Sequence, residues 1–242
     1  MASKLFDNFP GDPTDYVFWE EFDVTSGADS AATWLVKGWT LSQLGSAGTA
    51  ATLDTDAEFG QALLSTTAAD NKGPELQLLS ESVALRAGKT TRFLARIKHS
   101  VVLTDTFFIG LALTDTSISH ATDGTLANVT TATDCVGFVS AEADASLYGI
   151  VRRDSTQAAT GAMATLADAT WVDVAFEVKM DPTTAGTGTV RFWVNGAPTG
   201  TLTSTTLPHG AEEMLTPSIA LAARSATGST MHVDFVGVSQ TR

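Results

Sequence analysis

From Trp171 to Thr203 apolar and polar residues alternate along the chain. Val172, Val174, Phe176, Val178 and Met180 fall on one side of an extended backbone. Asp173, Glu177 and Lys179 fall on the other. Strict period two marks a strand with one buried face. After a Thr/Gly-rich turn, Val190, Phe192 and Val194 repeat the pattern, with Arg191 and Asn195 outward. Asn195-Gly196 then supplies two residues that tolerate positive φ, as a tight hairpin requires. The pattern predicts a curved antiparallel sheet with one wet and one dry face.

The rest of the chain continues in short strands. The pattern predicts them over 18–24, 34–41, 49–53, 61–66, 75–79, 83–85, 91–98, 135–143, 146–153, 202–207, 218–224 and 231–239. In 91–98, Phe93, Ala95 and Ile97 face in, while Arg92, Arg96 and Lys98 face out. The stretch 106–114 (TFFIGLALT) is apolar on both sides, which predicts a central strand covered on both faces or one lying at a contact. Asn71 to Pro74 reads as a turn and 212–215 as a single helical turn. Many short strands at regular spacing imply a sandwich or barrel. The predicted fold class is all-β, a two-sheet antiparallel sandwich over 17–242.

Residues 1–16 differ. Leu5, Phe6, Phe9 and Tyr16 are interleaved with Pro10, Gly11 and Pro13. The prolines disfavour a helix and a central strand. This segment reads as an extended arm with apolar anchors, Leu5, Phe6, Phe9, Pro10 and Tyr16. It either wraps its own domain or docks on a neighbouring subunit.

Composition narrows the classes. Charged residues make up 17% of the 242 residues, and the formal net charge is −13. That balance argues against nucleic-acid binding, which needs clustered Lys and Arg. No apolar run approaches the length of a membrane span, and the start lacks a signal-peptide pattern. The single cysteine, Cys135, excludes an intrachain disulfide and sits in an apolar stretch, where it reads as a small buried hydrophobe. No cationic neighbour that would activate it is visible in sequence.

Several features resemble the concanavalin A-like, laminin-G-like jelly rolls. They are Phe22-Asp23, the Gly88-Lys89 turn before Phe93 to Ile97, Trp171 opening a long strand, Phe192 to Gly196, and the closing Val233 to Val236. The ending, through Gln240-Thr241-Arg242, is similar to jelly-roll structural proteins of tailed bacteriophages. That resemblance implies a β-sandwich fold.

Glucanases of this fold carry Glu-x-Asp-x-x-Glu on one strand, so that alternation gives a nucleophile and an acid/base on one face. The nearest match is Glu142-Ala143-Asp144-Ala145-Ser146. Leu147 stands in place of the second glutamate, and Ser146 does so for the one-residue-shorter form of the motif, so no acid/base partner is present. Other chemistry fares no better. His99, His120, His209 and His232 make no metal motif. Asp54, Asp56 and Glu58 lack the glycine and final glutamate of a calcium loop. The expectation is therefore no catalytic residues, no metal, no cofactor and no enzyme.

Two non-enzymatic readings follow. One is a capsid decoration or cement protein on the outside of a phage head, bound to the major capsid protein or other virion subunits and in homo-oligomeric or lattice contacts. The acidic balance favours the outside of a shell over its DNA-facing lining. The other is a glycan-binding module of a phage tail or fibre, with Trp34, Trp39 and Trp193 as candidate platforms.

Overall fold

A computed structural model of the chain describes residues 16–22, 38–44, 50–53, 60–67, 72–78, 82–114, 134–141, 143–154, 156–204, 206–209, 213–224 and 227–241. Seventeen strands lie among them, with no helix. They are β1 (Tyr16–Glu20), β2 (Trp39–Leu44), β3 (Ala50–Leu53), β4 (Ala62–Ser65), β5 (Gly73–Leu78), β6 (Val83–Ala84), β7 (Thr90–His99), β8 (Asp105–Ala112) and β9 (Cys135–Ala141). Then come β10 (Asp144–Arg153), β11 (Thr156–Ala159), β12 (Ala164–Thr165), β13 (Trp171–Met180), β14 (Gly188–Val194), β15 (Ala197–Ser204), β16 (Met214–Ala223) and β17 (Thr230–Gln240).

Two antiparallel sheets face each other. The first has the order β15-β14-β13-β7-β17-β4-β3, with β1 also on β17. The second has the order β11-β10-β9-β8-β16-β5-β2, with β12 on β10 and β6 on β16. We call them the outer-charged sheet and the glycine sheet, after the residues described below. The all-β sandwich predicted from the alternation is the fold observed.

The alternation places the core. Val172, Val174, Phe176, Val178 and Met180 are all buried, as are Val190, Phe192 and Val194. Phe93 stacks on Phe176 at 5.0 Å between ring centres, and Phe138 of the opposite sheet meets Phe192 edge-on at 5.3 Å. Gly149 faces this cluster; a Cβ there would come within 2.7 Å of the Phe192 ring. Four phenylalanines thus close the space between the sheets, with a glycine making room for the last. The Asn195-Gly196 turn has φ of 49° and 77°, the tight hairpin the sequence predicts.

Some predicted elements shift. Met214 and Leu215 are not helical; they open β16 and pair with Ala84 and Val83 of β6. The predicted start at Ser218 therefore lies inside β16, directly after Pro217. That proline is tolerated because it falls where β16 changes partner from β6 to β5. Gly73 and Pro74, read as turn, lie in β5, which pairs with β2. Strand β15 begins at Ala197, directly after the hairpin, earlier than predicted, and its proline is accommodated on a sheet edge. The two short strands β11 and β12 carry no amphipathic signal.

Leu5, Phe6, Phe9 and Pro10 lie outside the described residues, as do Trp34, His120, Glu142 and the carboxylates Asp54, Asp56 and Glu58. Tyr16 does not end an arm: it begins β1 and pairs with Gln240.

Candidate functional site

The outer face of the glycine sheet is closed. Its central strands β8, β9 and β16 are buried almost residue for residue on both sides. Register places Gln77, Ser218, Gly110, Gly137, Ile150 and Ala159 in one cross-strand row. The next row holds Glu75, Ala220, Phe108, Val139 and Tyr148, and the one on the other side Thr216, Ala112, Cys135, Arg152 and Gln157. Glu75 is the single carboxylate among these positions. A nucleophile and an acid/base cannot be assembled from them. The polar members bond one another: Gln77 Nε2 donates to Ser218 Oγ at 2.8 Å, and Thr216 Oγ1 to the Leu78 carbonyl at 2.9 Å.

The glucanase-like stretch reaches the edge of this face, because Asp144 pairs with Ala141, one row beyond Val139 and Tyr148. Asp144 follows the β9–β10 hairpin, where Ala143 has φ of 55° and Asp144 pairs with Ala141. The Asp144 carboxylate accepts hydrogen bonds from the Tyr148 hydroxyl at 2.5 Å and the Ser146 amide at 2.9 Å. The Tyr148 bond chiefly, and those from Ser146, hold the carboxyl below its usual range. It is a turn-capping anion, not a proton donor.

Cys135 is buried, as its neighbours suggest. The cation that sequence did not reveal is present: Arg152, also buried, stands directly across the strand pair. Sequence separation hid it; the β9–β10 register creates it.

The outer face of the other sheet is differently built and only partly open: Trp19 is exposed, while Leu94, Ala175 and Gly237 at its centre are buried. One unbroken cross-strand row runs Trp193, Ala175, Leu94, Gly237, Trp19 over five strands. Trp19 is 44% exposed and lies over Gly237, where a Cβ would meet its ring at 2.7 Å. It stacks on Phe235 at 5.1 Å and 18°, and its Nε1 donates to Glu21 Oε1 at 2.9 Å.

The next row is charged. Arg96 Nε lies 3.4 Å from Asp173 Oδ1, and its Nη1 lies 3.7 Å from Asp234 Oδ2. Its guanidinium sits 5.6 Å from the Trp171 ring centre, with Lys98 Nζ at 4.7 Å over the same ring. Burial pushes the Asp234 carboxyl up from its ordinary value, Arg96 pulls it back, and Glu21 and Asp173 push it up again. Asp234 reaches this face because β17 carries a bulge: Val233 pairs with Ile97 and Phe235 with Arg96, leaving Asp234 as the extra residue. The bulge was legible only as a broken phase, with core-facing valines at 233 and 236.

Of the candidate platforms, Trp193 is half-buried in this row. Trp39 is not a platform: it is fully buried, between Phe18 at 6.2 Å and Phe22 at 5.7 Å. Trp19, which pattern reasoning assigned only to a first strand, is the exposed one. No group of potential metal ligands gathers among the described residues.

No family profile matches the chain, and no curated protein is detectably similar in sequence. Solved structures do match. An endo-1,3-β-glucanase from Streptomyces sioyaensis is 16% identical over 96% of this chain and 98% of that one, with a TM-score of 0.61. A glycosyl hydrolase family 16 protein from Mycobacterium smegmatis is 16% identical over 92% and 99%, at 0.58. An immunostimulatory antigen and pseudo β-1,3-glucanase of Mycobacterium tuberculosis is 15% identical over 91% and 97%, at 0.55. The fold is the concanavalin A-like jelly roll.

The virion reading is overturned by these matches, which point to carbohydrate-acting sandwiches and not to capsid proteins. Two of the features that suggested it are the chain's ending and its aromatic arm. The phage-like ending is β17, the strand that joins β7, β4 and β1, so its pattern is a demand of the fold. The aromatic arm lies outside the described residues apart from Tyr16, which is sheet. Several proteins sharing the fold are enzymes, so kinship of fold gives the non-enzymatic expectation no support.

Proposed function

We propose that this protein recognises a carbohydrate polymer through the open face of the outer-charged sheet. The observation that carries the reading is Trp19. It is a large exposed indole, held rigid by Phe235 and Gly237, with carboxylates and a guanidinium beside it. The apolar C–H face of a pyranose packs on such a ring, and its hydroxyls bond to Glu21, Asp234 and Arg96. The proteins that share the fold, glucanases and a pseudo-glucanase, give the substrate class its direction: a β-glucan.

Recognition without hydrolysis is the form favoured here. On the outer face of the glycine sheet Glu75 is fully buried, and the Asp144 carboxyl is held below its usual range by Tyr148 and Ser146, so the described residues there do not pair an exposed nucleophile with a general acid. The test is calorimetric titration of the intact protein with soluble β-1,3-glucan oligosaccharides, beside Trp19→Ala. Saturable binding that falls at least about tenfold in the variant supports the reading, since a lost stacking contact is worth roughly 1–1.5 kcal/mol or more. Equal binding by both proteins, or no binding, contradicts it. Release of reducing sugar by the wild-type protein would replace recognition with turnover.

A further inference from the structure

Three segments line a half-open cleft of about 290 Å³. Leu85, Arg86 and Ala87 come from the segment between β6 and β7. Met180, Ala185 and Gly186 come from the end of β13 and the turn after it, and His209 from the approach to β16. This cleft uses none of the residues of the open face.

The site is rigidly framed. The Leu207 amide donates to the Gly186 carbonyl at 3.0 Å, and the Met180 amide to the Lys89 carbonyl at 3.1 Å. The His209 backbone amide donates to Glu213 Oε2, and Arg153 Nη2 holds the other oxygen of that carboxylate at 3.0 Å. The imidazole Nδ1 donates to the Leu207 carbonyl at 3.2 Å. Its ring fills space beside Gly186 that a Cβ would occupy to within 2.7 Å of the ring atoms. His209 is therefore a fixed wall, not a mobile side chain.

Two features select a ligand. Leu85 and Met180 are almost completely buried and make an apolar floor. Arg86, at the rim, forms no ion pair among the described residues, whereas nearby Arg153 is held by Glu213 and by Asp154 at 3.5 Å. In a chain of net charge −13, an uncommitted guanidinium beside an apolar floor is a specific complement to one planar anion. The volume is about twice that of a cavity that takes up benzene, so it holds a ring with a short chain.

We propose that this cleft binds a small organic carboxylate with an apolar body, the carboxylate on Arg86 and the body on Leu85 and Met180 against His209. The experiment titrates the full chain with 3-phenylpropionate and with its neutral counterpart 3-phenylpropanamide, by ligand-observed NMR. The acid binds wild-type protein at least about fivefold more tightly than the amide, as a charge-assisted bond requires. Arg86→Gln erases that preference. Ala87→Trp, at the exposed rim, blocks both probes, and Ala185→Trp repeats the blockade from the other loop should the first variant melt early. Equal affinity for acid and amide overturns the proposal, as do binding that survives both blocking variants and the absence of saturable binding at millimolar probe.

Discussion

The two broad faces of the sandwich use the same backbone pattern to opposite ends. On the outer-charged sheet, β7 and β13 alternate except at Leu94 and Ala175, which are buried on the outward side, and the other outward positions carry Arg92, Arg96, Lys98, Asp173 and Glu177 beside the indoles. On the glycine sheet, β8, β9 and β16 are mostly apolar or small on both sides and almost wholly buried. The lesson is that one strand pattern can build a packed face on one sheet and a charged, partly exposed face on the other. Where side chains such as Phe108 lie over glycines, the face is packing; where indoles stand beside ionised groups, it is surface.

The largest break in that contrast comes from Gly110. A Cβ there would lie 2.3 Å from the Val136 carbonyl oxygen, which is backbone and cannot step aside. Gly110→Val should cost more than about 3 kcal/mol and leave little folded protein, read by chemical denaturation. A mild loss would show that the closed face is loosely packed.

A second effect belongs to the crossover from β7 to β8. His99 Nδ1 and Asp105 Oδ1 are 3.4 Å apart and both side chains are buried. That spacing would suit an ion pair, but burial favours the neutral forms of both. It lowers His99 to about 4 and, together with repulsion from Asp168, raises Asp105 to about 8. Asp105 contributes fully below its ordinary 3.8, and the contribution is lost as pH rises to about 8. His99 contributes above its ordinary 6.5, and that contribution is lost as pH falls through about 4. Between 6.5 and 8 only Asp105 of the two titrates, so melting temperature should decline across that window. In Asp105→Asn the decline should flatten. An unchanged slope would remove Asp105 as its cause.

On the open face the effects on stability are smaller. Trp19→Ala removes one stacked, partly exposed ring and should cost about 1–2 kcal/mol, leaving a folded protein. Arg92→Gln loses the 2.9 Å pair with Glu177, which is only part-buried and still screened by solvent, so the loss should be about 1 kcal/mol or less. Thermal melting of both checks this; a collapse in either would mean that this face is core.

Much of this was legible in the chain. The alternation of β7, β13 and β14 fixed the core-facing residues, and the doubly apolar 106–114 marked the centre of the glycine sheet. The site was less legible. Trp19, Phe235 and Gly237 meet only through the β1–β17 register, which no local pattern encodes. The bulge at Asp234 reverses the phase of β17, and the pairing of Arg152 with Cys135 depends on a hairpin register. Trp39 shows the converse: residue type suggested a platform, and packing against Phe18 and Phe22 made it core.

The most direct test of the open face is hydroxyl-radical footprinting of the intact protein with and without a β-1,3-glucan oligosaccharide. Trp19 should be oxidised readily in the free protein and protected by the sugar, with Trp193 and Phe235 following it, while Phe108 and Cys135 stay unreactive in both states. Protection that spares Trp19, or that appears only in residues of the glycine sheet, would contradict the assignment.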